Sequence, residues 1–86
     1  MAKQVYRVMA FKWDKRKKEY ERKEITIQRD YFEALSTYDR LTPCADMMAV
    51  ELWEDSMNKH GIAVSRERIR MKDQAGEWDQ SGELIG

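Results

Sequence analysis

Cysteine, proline and glycine are all scarce in this chain, and each scarcity removes something. The single cysteine, Cys44, excludes an intramolecular disulfide, so the fold rests on its core alone. One proline, Pro43, and four glycines leave few forced turns. Apolar runs are short. Val8–Phe11 and Met47–Val50 fall far below the ~20 residues that a membrane-crossing helix needs. The opening MAKQVYRV carries no signal-peptide h-region. With the lone thiol, this points to a soluble protein of a reducing cytoplasm. A surplus of charge is missing too: Lys plus Arg and Asp plus Glu are 16 each, for a net +0. Nucleic-acid modules usually carry a basic excess. A balanced surface disfavours general phosphate binding and leaves only a local cationic stripe for that role.

What is present is a short, highly charged sequence with enough apolar residues for one core. Its 86 residues are 42% hydrophobic and 37% charged, near the lower limit for a domain that folds alone. Residues 4–13, QVYRVMAFKW, are rich in β-branched and aromatic side chains and show no helical stripe, which predicts a strand. Its odd positions include Val5, Met9, Phe11 and Trp13, and its even ones Tyr6, Val8 and Ala10. Both faces are largely apolar, as in a strand central to its sheet.

Residues 19–28 predict a second strand, with Ile25 and Ile27 on its buried face and Tyr20, Arg22, Glu24 and Thr26 on the other. A four-residue reversal at KRKK would pair Trp13 with Tyr20, Lys12 with Glu21 and Val8 with Ile25. No Asn-Gly signal selects that register over one shifted by a residue. Asp30 as N-cap, Glu33 three residues on and Pro43 beyond the far end frame a helix. Its apolar stripe is Tyr31, Ala34, Leu35, Tyr38 and Leu41.

Residues 47–54 read as a strand with Met48, Val50 and Leu52 on one face and Ala49, Glu51 and Trp53 on the other. Residues 62–71 read as a strand whose apolar parity switches between Ile62/Val64 and Ile69/Met71, which predicts a bulge near 65–67. Together these elements give an α+β domain over 1–73 in the order ββαββ, an antiparallel sheet with one helix on a face. The alternative is ββααβ, with residues 43–60 helical. Residues 74–86 are expected to be a loosely ordered tail.

Little in the residues suggests catalysis. Cys44 and His60 are the only thiol and imidazole, too few for the four ligands of a structural zinc site and without flanking signs of a nucleophilic dyad. They are expected to be a small buried or half-buried thiol and a turn histidine. The carboxylates Glu51, Glu54 and Asp55, and Glu77 with Asp79, are expected to be solvated rather than poised in a pocket. No phosphate loop, dinucleotide fingerprint or EF-hand pattern occurs. The expectation is a non-enzyme without metal or cofactor.

Binding is the remaining role. A first strand with two apolar faces, and only one helix to cover it, predicts a homodimer or protein-interaction surface built on Met9, Phe11, Trp13, Tyr20 and Trp53. The rival is nucleic acid, held by Lys15, Arg16, Lys17 and Lys18 in the hairpin loop and by Arg66, Arg68 and Arg70 on the last strand, near aromatics on which bases could stack. The order of a hairpin, a capped helix and a further hairpin resembles small accessory proteins of bacterial phages and mobile elements. That resemblance would imply an inhibitor docking on a host protein, and it assigns no residue a role.

Overall fold

The computed structural model describes residues 3–85. Its elements are β1 (Lys3–Asp14), β2 (Glu19–Gln28), α1 (Tyr31–Arg40), β3 (Met47–Met57), β4 (Ala63–Asp73) and β5 (Gly76–Asp79). The five strands form one antiparallel sheet in the order β2-β1-β3-β4-β5. The α+β class and the ββαββ order hold, with a fifth strand added. Residues 47–57 are a strand, so the helical alternative for 43–60 is overturned. Its apolar alternation at Val50 and Leu52 outweighs helix propensity because both side chains are buried at one face.

The first hairpin closes without glycine. Asp14 Oδ1 accepts from the amides of Arg16 and Lys17, the Lys18 amide donates to the Asp14 carbonyl at 2.8 Å, and Lys18 takes φ 54. An Asx turn thus does the work of the missing Asn-Gly. Trp13 lies opposite Tyr20 and Lys12 opposite Glu21. Nearby, Lys17 and Lys23 both pair with Glu21 and hold its carboxyl down to about 2.

Helix α1 begins at Asp30, whose carboxylate accepts from the amides of Phe32 and Glu33. It buries Ala34 and Tyr38 against Val8, Val50 and Leu52 of the two central strands. Tyr38 is tied to the distant edge of the sheet. Its hydroxyl donates to Glu77 Oε2 at 2.7 Å and Lys72 Nζ sits 4.5 Å from its ring centre. Burial first, and then the bond to Glu77, push the phenol well above its ordinary range.

Two bulges decide which side chains reach this core. Val8 pairs with Thr26, not Ile25, and Met9 pairs with Glu24, so Ile25 is the extra residue on β2. Likewise Leu52 pairs with Arg70 and Trp53 with Arg68, leaving Ile69 extra on β4. Both isoleucines pack against the core cluster. A further shift near the start of β4 leaves Val64 extra. The parity conflict is therefore resolved by bulges at Val64 and Ile69, either side of the expected 65–67. Ile27, expected to be buried, lies opposite Arg7 and is 45% exposed. Met71 lies opposite Glu51, away from the helix.

The stretch expected as a loose tail, 74–86, carries β5 within its described residues. Trp78 pairs with Met71, bridges to Leu84, and the Ile85 amide donates to the Glu77 carbonyl. Asp79 Oδ1 accepts from the amides of Ser81 and Glu83 and from the Ser81 hydroxyl, bonds that hold its carboxyl below the usual range.

Candidate functional site

One face of the sheet has the helix over it. The other has nothing over it among the described residues, and the bulges determine what it displays. From β1 come Arg7, Met9, Phe11 and Trp13; from β2, Tyr20, Arg22 and Glu24. From β3 come Glu51, Trp53 and Asp55, and from β4 and β5 come Arg66, Arg68, Met71 and Trp78.

The centre of this open face is a pair of buried carboxylates. Glu51 is 1% exposed and Asp55 is 0% exposed, although no helix covers them. Arginines do. Asp55 Oδ2 accepts from Arg7 Nε at 2.7 Å and lies 3.3 Å from Arg66 Nε. Glu51 Oε2 accepts from Arg68 Nη1 at 3.0 Å, and Glu51 Oε1 lies 3.1 Å from Arg22 Nε. Two Arg–carboxylate–Arg clamps thus cross the sheet, one on each side of Trp53. Arg7 also pairs with Glu24, and its bond to Asp55 is the main reason its guanidinium is held more basic than usual.

The expectation that Glu51 and Asp55 are solvated is overturned. Period-two alternation places them beside Trp53 on one face of a central strand, where long arginine stems exclude water from both sides. Burying charge is costly unless it is paired and hydrogen-bonded. Here satisfaction is incomplete: Glu51 Oε1, Asp55 Oδ1 and Trp53 Nε1 are buried without a hydrogen-bond partner. The contact from Arg22 to Glu51 Oε1 is an ion pair whose angle does not make a hydrogen bond. Glu54 points to the helix side, where it accepts from Gln4.

Of the expected interface residues, Met9, Phe11 and Trp53 meet at this centre. The Arg22 guanidinium lies 4.9 Å from the Phe11 ring centre and 5.8 Å from that of Trp53. Trp13 and Tyr20 stack edge-on at 5.1 Å at the hairpin end of the same face. Both are anchored to the loop before β3, by the Trp13 amide to the Asp46 carbonyl and the Tyr20 hydroxyl to the Ala45 carbonyl.

Of the expected nucleic-acid contacts, Arg66 and Arg68 join the open face but Arg70 does not. The Ile69 bulge turns Arg70 to the helix side, opposite Leu52, so the three arginines form no single stripe. Lys15, Arg16, Lys17 and Lys18 sit in the turn beyond the end of the face. Sequence reasoning reads Glu51 and Asp55 as solvated, places Arg22 on the unburied face of its strand and gives Arg7 no role. Alternation of Glu51, Trp53 and Asp55 on a central strand was the available signal.

Cys44 is exposed, contrary to expectation, because it lies in the loop leading into β3. His60 lies in the turn after the same strand, so thiol and imidazole are separated by the 11 residues of β3, about 35 Å of strand. They form no dyad. Among the described residues there is no cluster of three or more His, Cys, Asp and Glu able to hold a metal ion, and no helix is long and apolar enough to cross a membrane.

No protein-family model, no curated protein and no solved structure matches this chain. What the fold and the site define is a small α+β domain with one open, mixed aromatic and charged sheet face.

Proposed function

We propose that this chain is a non-enzymatic cytoplasmic binding module that works through its open sheet face, and that the occupant of that face is a second copy of the chain. The observation that carries this reading is the uncovered set of Met9, Phe11, Trp53, Met71 and Trp78, each only half-buried. Tryptophan, phenylalanine, methionine and arginine are the side chains that concentrate at the cores of protein interfaces.

Area and charge both favour self-pairing. Four strands of about ten residues and the four-residue β5, at ~4.8 Å spacing and ~3.3 Å rise, give a face of about 700 Å². That is close to the ~800 Å² each partner contributes to a stable interface of ordinary size. Arg7, Arg22, Arg66 and Arg68 are balanced by Glu24, Glu51, Asp55 and Asp73, the last lying two residues beyond Met71 and opposite Ala49 on the same face. A copy meets no net repulsion, whereas a polyanion meets no strong attraction. The nucleic-acid reading uses the same arginines, but each already faces a carboxylate.

Light scattering from micromolar to submillimolar protein tests the proposal. A dimer mass is expected. Met71→Asp on the open face should return it to monomer, while Phe32→Asp on the exposed side of the helix should leave it unchanged. A monomer at every concentration would overturn self-pairing. Fluorescence polarisation with short DNA and RNA at low salt, where phosphate contacts are strongest, should show no binding.

A further inference from the structure

Beside Trp53 lies a cleft of about 130 Å³, lined by Arg7, Met9, Arg22, Trp53, Asp55 and Arg66. We propose that this cleft is an oxyanion site, taking a carboxylate or phosphate group between Arg22 and Arg66 beside the Trp53 ring. This goes beyond self-pairing of the open face and does not depend on it.

The arginines are held by their inner ends. Arg22 Nε is 3.1 Å from Glu51 and Arg66 Nε is 3.3 Å from Asp55, both carboxylates being buried. Neither guanidinium makes a hydrogen bond among the described residues, and the two side chains are 49% and 61% exposed. They approach from β2 and β4, on opposite sides of the central strands. Both side chains line the cleft, and planar guanidinium forks suit an anion with several acceptor oxygens. The ion pairs with Glu51 and Asp55 bias the two stems toward the cleft, which reduces the side-chain freedom lost on binding. Glu51 and Asp55 are positioning residues in this arrangement.

Size and chemistry agree. The lining holds three guanidinium groups and one carboxylate, while Glu24 and Glu51 pair with Arg7 and Arg22 from outside it, so an anion is held here by directed N–H donors rather than by an excess of positive charge. The free volume equals roughly four waters at ~30 Å³ each, room for one compact oxyanion and not for a nucleoside. Asp55 supplies a preference within the class. Its Oδ1 is buried and lacks a donor. A phosphate that keeps one O–H at neutral pH can supply that donor and a carboxylate cannot.

The test is a titration of the full chain with inorganic phosphate and, separately, acetate at constant ionic strength, followed by NMR of the arginine Nε–H and tryptophan indole signals. Saturable shifts are expected at Arg22, Arg66 and Trp53, with phosphate the tighter ligand. Arg22→Gln and Arg66→Gln should each weaken phosphate binding about tenfold, the worth of one charge-assisted bond. Arg66→Lys, which keeps the charge and loses the fork, should also weaken it, and Arg70→Gln should not. Amide dispersion in the same spectra reports that each variant is folded. Tighter acetate would reassign the site to carboxylates. Shifts that never saturate, or an equal effect of Arg70→Gln, would overturn the site. Light scattering on the same samples separates the two proposals. Because Met9 and Trp53 also belong to the pairing face, the monomeric Met71→Asp variant decides the cleft: if that monomer is blind to phosphate the cleft falls alone, and a native chain that binds phosphate as a monomer removes the pairing alone.

Discussion

The two faces of this sheet are built from the same strands yet solve burial in different ways. On the helix side, Val8, Val50 and Leu52 are fully buried beneath Ala34 and Tyr38. Their stabilisation is apolar transfer and close packing, which has no direction and needs no partner atom. On the open side, burial is equally complete at Glu51 and Asp55, but the cover is four arginine stems. That cover is directional, leaves three polar atoms without partners and displays guanidinium groups outward. The contrast teaches that zero exposure marks a core on one side and a prepared surface on the other. Only the second has unused hydrogen-bonding capacity, which is why both functional proposals fall there.

The comparison can be broken most sharply on the helix side. Leu52→Ala removes a fully buried side chain beneath a helix that cannot settle into the gap, and should lower unfolding stability by about 3 kcal/mol in urea titration. It should leave the amide signals of Arg66 and Arg68 nearly in place. On the open side, Asp55→Leu removes the acceptor shared by Arg7 and Arg66 and should cost about 2 kcal/mol, less than a fully buried pair because Arg66 reaches water. Adding Arg7→Met should recover part of that loss, since the penalty lies in the orphaned charge. If the double variant is worse than the single, the clamp is not the reason for the cost.

The smallest effect joins the two faces through their shared edge. Tyr38→Phe loses the bond to Glu77 and should cost about 1 kcal/mol. The phenol's pKa is raised in the folded state, so its contribution is complete below its ordinary value of 10.0 and is lost as pH rises beyond that. The gap between native chain and variant should therefore narrow above pH 10, read by denaturant midpoints across that range.

Much of the fold was legible in local pattern. Asp30 and Pro43 framed the helix, and the Trp13–Tyr20 pairing followed from a four-residue loop. The wrong assignments cluster at the bulges. Unbroken alternation puts Ile27 on the face of Ile25, Met71 on that of Ile69 and Arg70 on that of Arg68, and the bulges separate each pair. A bulge adds one residue and reverses every face beyond it, and strand parity shows that a shift is needed without showing where. The candidate site was half visible: Met9, Phe11, Trp53, Arg66 and Arg68 were named for binding, while Glu51 and Asp55 were read as solvated and Arg7 and Arg22 were given no role. Charged residues read as solvated by default, and their burial here depends on neighbours that are distant in sequence.

By itself, the sequence determined the local elements, because periodicity, capping and turn chemistry act within a few residues. It also set the balance of charge and the shortage of material to cover a second sheet face. The tertiary structure alone decided that β1 and β3 lie side by side at the centre and that bulges send Ile25 and Ile69 to the helix. The same arrangement brings arginines from three other strands over two carboxylates of β3. Such contacts join residues up to 48 positions apart. Their energy depends on a shared low-dielectric surface that exists only once the sheet has formed.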